Sequence, residues 1–218
     1  MSRRSSEIVD QGIFCVGDVN GRRFSTGRMI VGNSRRVQAK IFFVCVMEIM
    51  NRSFGRISAA VLAASYGMYY LATWQEWHFI DSVTLIMHEA GHPLFLVFGQ
   101  MFSLLGGTLM QLLVPAMFVI YFFRSGQVLS SAFVLYWVGF SLINAGIYIA
   151  DAQTQVLPLI GGEHDWALLC SQWGILDRCS FIGRFVVSLG QAVMLSAGLW
   201  SWYTLRKEWR EPGGADNR

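Results

Sequence analysis

This sequence predicts an all-α fold, a polytopic transmembrane helical bundle of about five to six membrane helices. Three observations carry that expectation. The 218 residues are 54% apolar and only 14% charged, whereas soluble domains carry roughly a quarter charged residues. Mean hydropathy is +0.43. Basic residues gather at the two ends: ten of the 17 Lys and Arg lie in residues 1–56, none lies between Ile57 and Phe123, and Arg206, Lys207 and Arg210 cluster late in the chain. A net charge of +3 distributed in this way suits a membrane protein with basic flanks and excludes a nucleic-acid binder.

Residues 1–37 are polar and rich in Arg and Gly, with no sustained period, and are expected to be disordered. They lack the ordered regions of a signal peptide. "IFFVCVMEIM" (41–50) is apolar but too short to span, and Glu48 interrupts it. "MNRSFGR" followed by an apolar run reads as an ordinary membrane-protein start, so Met47 or Met50 is an alternative first residue. The expected organisation is a disordered or non-native extension over 1–46, a transmembrane domain over 47–210 and a disordered tail over 211–218. Apolar runs at about 57–74, 79–99, 101–123, 128–150 and 184–205 each approach the ~20 residues that cross a bilayer as a helix. Tyr69, Tyr70, Trp74, Trp77, Trp200, Trp202 and Tyr203 fall where interfacial aromatics belong. Arg52 and Arg56 favour a cytoplasmic start, and Arg206, Lys207 and Arg210 a cytoplasmic end; five spans cannot satisfy both. From Val128 to Gly162 the one charge is Asp151, so the embedded segment also fits a span over 137–159 with Asp151 deep inside.

The four cysteines form no CxxC pair, which argues against a cysteine zinc site. Cys170 and Cys179 share one loop, either as a disulfide facing an oxidising compartment or as free thiols.

"LIMHEAGHPLF" (86–96) carries the chemistry. Spacing of four puts His88 and His92 on one helix face, where two imidazoles can hold Zn²⁺, and Glu89 between them can act as general base. Four His in the chain make the pattern rare by chance, roughly 0.002 per chain. Ionisable groups inside a span are costly and mark function; the plain alternative is a buried, mutually hydrogen-bonded polar trio. Gly91 leaves room for a neighbour, and Pro93 removes a backbone donor one turn after Glu89. A hydrolytic zinc needs a third ligand. Asp151 is the expected one, at a depth similar to the histidines if the span covers 137–159. His164 in "GGEHDW" (161–166) is the alternative, with Asp165 orienting a ligand histidine from behind, or the segment opens an interfacial helix, "HDWALLCSQWGIL". His78 reads as a wet interfacial side chain. Gly106 and Gly107 permit close packing, Gln111 is a candidate donor to a substrate backbone, and Asn144 is a second intramembrane amide that bonds either a neighbouring helix or a substrate strand.

These residues resemble the site-2 protease family of intramembrane zinc metalloproteases. His88, Glu89 and His92 match its HExxH helix. Asn144 and Asp151 in "NAGIYIAD" are similar to its Asn- and Asp-bearing third core helix, and "GTLMQ" (107–111) is loosely similar to its Gly-Pro-x-x-Asn segment. The likeness covers about 79–160 and implies a three-helix metalloprotease-like core with Asp151 as ligand. Departures are the missing prolines, Ala152 where a Gly follows the aspartate, and Thr108 and Gln111 in the middle motif. The chain also looks like a group of bacterial membrane proteins sharing HEAGH, a GG-x-x-x-Q segment, an Asp-Ala (here Asp151 and Ala152) and GG-x-HDW. The resemblance implies a zinc-dependent endopeptidase of a bacterial inner membrane, cutting in or near a transmembrane segment of another protein. The alternative is a non-proteolytic metal protein: a lipid or small-amide hydrolase, a metal sensor, or an inactive scaffold.

Overall fold

The computed structural model describes residues 16–17, 24–25, 35–159 and 163–210, with side chains described from Phe54 onward. The chain divides into two units, Met1–Arg56 with Pro212–Arg218, and Ile57–Glu211. In the first, β1 (Val16–Gly17) pairs antiparallel with β2 (Phe24–Ser25), and helix α1 (Arg35–Ala72) begins. Residues 35–46 are therefore helical, within the stretch expected to lack structure. Most of the rest of 1–46, and all of 211–218, lie outside the described residues.

Among the described residues of the second unit, every regular element is a helix. The end of α1 is followed by α2 (Phe79–Phe95), α3 (Gln100–Arg124), α4 (Val128–Asp151), the short α5 (Asp165–Gln172) and α6 (Cys179–Arg210). Among the described residues, three segments are long and apolar enough to cross a membrane: Gln100–Arg124, Val128–Asp151 and Leu176–Arg210. The run expected at 79–99 is instead a 17-residue helix that passes into a 3₁₀ turn, Leu96–Phe98. At 1.5 Å per residue α2 is about 25 Å long, short of a ~30 Å hydrocarbon core. Pro93 lies inside α2, where it cannot donate to the Glu89 carbonyl, and the α-helix ends two residues later. Gly99 then adopts φ 103°, a left-handed value that favours glycine, and turns the chain into α3.

Helix α4 ends at Asp151, so the span does not slide toward residue 159. The Asp151 carbonyl accepts the Thr154 and Gln155 N–H groups at 3.0 and 2.7 Å and closes the turn there. α4 and α6 form the most extensive helix pair, along a seam of four glycines. A Cβ on Gly190 would stand 2.8 Å from the Gly139 carbonyl oxygen, and one on Gly146 would stand 2.7 Å from that of Gly183. The two pairs are seven residues apart on each helix and run in opposite senses, so the helices are antiparallel with their backbones in contact. Tyr70, Tyr136, Phe140, Ile143, Val187, Met194 and Ala197 form the main core. Large apolar side chains on α3, including Leu113, Met117, Phe118, Ile120 and Phe123, are exposed, as on a surface meant for lipid.

His78 is buried at the start of α2 rather than wet. Its Nε2 lies 2.8 Å from Thr73 Oγ1, and its N–H donates to Asp81 Oδ2 at 2.8 Å. Asp81 also accepts from Tyr70 at 2.8 Å, which makes this a cap for the first turn.

Candidate metal centre

His88 and His92 lie on successive turns of α2, and their rings meet edge to face with centroids 5.0 Å apart. The Glu89 carboxylate and one nitrogen of each histidine fall within 4.8 Å of one another. α2 carries this trio close against α3 because two glycines meet there. A Cβ on Gly106 would stand 2.7 Å from the Gly91 carbonyl oxygen, and a Cβ on Gly91 would run into the Gly106 backbone. Gly107 does a different job. A Cβ there would stand 2.5–2.7 Å from Nε2, Cε1 and Cδ2 of His88, so its absence leaves the space the imidazole occupies.

Both imidazoles are held by their inner nitrogens. His92 Nδ1 lies 2.9 Å from the Ser103 carbonyl oxygen, which only accepts, so Nδ1 carries the proton. His88 Nδ1 lies 3.2 Å from Gln111 Oε1. The Gln111 amide nitrogen donates to the Ser141 carbonyl at 3.2 Å, which turns its oxygen toward His88 and fixes that tautomer as well. With Nδ1–H committed in this way, each ring turns Nε2 outward, the nitrogen that offers a lone pair when it carries no proton.

Both lone pairs face one atom. Asp165 Oδ2 is 3.2 Å from His88 Nε2 and 3.5 Å from His92 Nε2. Two lone pairs and a carboxylate oxygen repel one another unless a cation sits among them, whether protons on the rings or a metal. Ligand atoms at 2.0–2.1 Å around tetrahedral zinc lie about 3.3–3.4 Å apart, close to both separations. The donor set, the fixed tautomers and the carboxylate all fit Zn²⁺.

Asp165 is the first residue of α5. It reaches the histidines because its neighbours anchor the start of that helix. The Tyr148 hydroxyl donates to Asp165 Oδ2 at 3.2 Å and accepts the Asp165 N–H at 3.1 Å. The Trp166 indole donates to Thr108 Oγ1 at 3.0 Å. His164 caps the helix, its Nδ1 accepting the Ala167 N–H at 3.3 Å, and its ring stacks on Tyr148 with centroids 4.2 Å apart. Burial pushes the His164 pKa down against the opposing pull of the Asp151 and Asp165 carboxylates, so the ring is neutral near pH 7, with its proton on Nε2. That nitrogen faces Asp151 Oδ2 at 3.5 Å, longer than a good hydrogen bond.

Asp151, expected to complete the metal site, is placed elsewhere. Oδ1 accepts from Thr154 Oγ1 at 2.7 Å and from Val156 N–H at 3.0 Å, and Oδ2 accepts from Leu157 N–H at 3.0 Å. A lone charge in an apolar run thus pins the turn after α4. His164, the expected alternative ligand, is a cap bridging to Asp151, and Asp165, expected behind a histidine, stands in front of two. Gln111, expected to meet substrate, orients His88. Asn144 is half-buried on α4, on the helix face that also carries Ser141 and Tyr148, and makes no hydrogen bond among the described residues. Gly161 and Gly162 lie outside the described residues. Sequence reasoning missed Tyr148 and Ser103. The i, i+4 relation of Tyr148 to Asn144 was the one available signal for the first, and a backbone carbonyl leaves none for the second. Cys170 and Cys179 are disulfide-bonded, joining α5 to the start of α6. No protein-family model, curated protein or solved structure matches this chain.

Proposed function

We propose that this chain is a zinc-dependent hydrolase embedded in a membrane, an endopeptidase that cuts a peptide bond in or near a transmembrane segment of another protein. The reading rests on one observation: a single carboxylate oxygen of Asp165 between two histidine nitrogens of fixed tautomer, with Glu89 beside them. His88, His92 and Asp165 would hold the metal. Bound zinc supplies Lewis acidity that polarises a carbonyl and brings the acidity of water into the neutral range. Glu89, the one carboxylate of the trio, takes the proton from the attacking water and returns it to the leaving amine. Asn144, which makes no hydrogen bond among the described residues and lies on the face that carries Tyr148, is the group to receive a substrate backbone unwound from its helix. Exposed Val61, Leu62 and Met68 on α1, and Ile86 and Leu94 on α2, support further membrane-embedded segments beside the three candidate spans, as in a multi-pass protein of a bacterial inner membrane. The likeness to site-2 proteases is retained in this reading, with the third ligand arriving on α5 rather than on α4.

The test is metal analysis beside cleavage. Purified wild type and Glu89→Ala should each carry one zinc per chain, while His88→Ala and Asp165→Ala carry almost none. Wild type alone should cut single-pass transmembrane reporter peptides, read by mass spectrometry. Cleavage by Glu89→Ala, or the same substoichiometric zinc in wild type and His88→Ala, refutes the reading.

A further inference from the structure

The geometry points to the face of the membrane on which the centre opens: the oxidising, extracytoplasmic one, from which it takes the juxtamembrane segment of a membrane polypeptide as substrate. The substrate half rests on the hydrolase reading above; the face does not. Five elements bring one set of ends together at the site. His92 is three residues from the end of α2, about 5 Å by helical rise, and bonds the Ser103 carbonyl in the first turn of α3. Asp165 opens α5. Asp151 ends α4 and faces His164. Cys179 begins α6 and is bonded to Cys170 of α5. The opposite ends are equally well defined. Ser131 Oγ in the first turn of α4 donates to the Val119 carbonyl late in α3 at 2.9 Å, and Phe123 meets Trp200 with ring centroids 5.9 Å apart.

Two independent features orient this axis. Disulfides persist in oxidising compartments and not in the reducing cytosol, and Cys170–Cys179 lies at the metal end. Lys and Arg accumulate on the cytoplasmic side. Among the described residues of Ile57–Glu211, exposed Arg124, Arg206, Lys207 and Arg210 lie at the far end, against Arg178 and Arg184 at the metal end. Both features put the His88, His92 and Asp165 cluster within about two helical turns of the extracytoplasmic surface. Trp166 and Tyr148 cover it there through hydrogen bonds to Thr108 and Asp165, while the His92 side chain stays partly exposed. A polypeptide that reaches the cluster from the extracytoplasmic side presents its extracytoplasmic flank, and no segment need cross the bilayer to reach Glu89.

Right-side-out vesicles carrying Gln153→Cys or Ser125→Cys, in a background with Cys15 and Cys45 changed to Ser, test the face with a membrane-impermeant maleimide. The exposed Gln153 position, in the turn after α4, should label before detergent is added, and the exposed Ser125 position, between α3 and α4, only afterwards. The reverse pattern, or equal labelling of both, overturns the assignment, and neither readout needs metal or activity. Reconstituted full-length protein with a single-pass reporter peptide of fixed orientation then maps the cut bond by mass spectrometry. Cleavage on the extracytoplasmic flank is expected, and cleavage on the other flank overturns the substrate. No cleavage with the expected labelling overturns the hydrolase reading and its substrate, and leaves the face standing.

Discussion

Gly107→Ala separates the metal centre from the fold. The new Cβ would stand 2.5–2.7 Å from three atoms of the His88 ring, where ordinary contact needs roughly 3.5 Å. The ring must therefore retreat by about 1 Å. It can do so, because an imidazole is the free end of a side chain, and the cost to the fold is that of modest overpacking, about 1–3 kcal/mol. The metal is less forgiving, since ligand distances in a working site hold to within about 0.2 Å. The same movement lengthens the His88 Nδ1 to Gln111 contact, already 3.2 Å, and loosens the tautomer. Zinc affinity should fall at least about 100-fold, a loss of about 2.7 kcal/mol, at the upper end of what loss of an orienting partner does. Competition against a chromophoric chelator in detergent measures the affinity, and circular dichroism follows the helices through melting. Gly91→Ala is the contrast: its Cβ meets the Gly106 backbone, which cannot swing aside, so that variant should lose thermal stability as well as zinc. A Gly107→Ala protein that binds zinc as tightly as wild type would refute the role assigned to His88.

Asp151→Ala removes an acceptor of three hydrogen bonds and should cost about 2–4 kcal/mol of stability, with one zinc per chain retained in metal analysis; zinc lost from a protein that melts normally would make Asp151 the third ligand after all. Gln111→Leu keeps the volume but leaves His88 Nδ1–H without its acceptor, so zinc affinity should drop by about 10–100-fold at a stability cost of about 1–3 kcal/mol, and an unchanged affinity would remove Gln111 from the site.

What could be read in the sequence follows the reach of local physics. His88, Glu89 and His92 were legible because a helix converts a spacing of four into a shared face, and the segments Gln100–Arg124, Val128–Asp151 and Leu176–Arg210 because hydrocarbon imposes length and apolarity on each span separately. The carboxylate that faces both histidines was not. Asp165 meets His88 across 77 residues, and its position depends on where Tyr148, Trp166 and His164 hold the first turn of α5. Asp151 drew attention as a lone charge in an apolar run, yet a charge that terminates a helix and gathers three loop donors looks the same in one dimension. The shortness of α2 was foreshadowed by Pro93, whose missing N–H falls in the helical segment that the apolar run concealed.

The glycines differ in what a chain descended from this one could afford to lose. Gly139, Gly146, Gly183 and Gly190 each meet backbone of the opposite helix, which cannot swing aside, so a relative that had abandoned the histidine site would still have to keep them. Gly107 faces the His88 imidazole, the end of a side chain. Across related chains its retention should rise and fall with His88, and a lineage with a larger residue at that position should be one in which the histidine has also drifted.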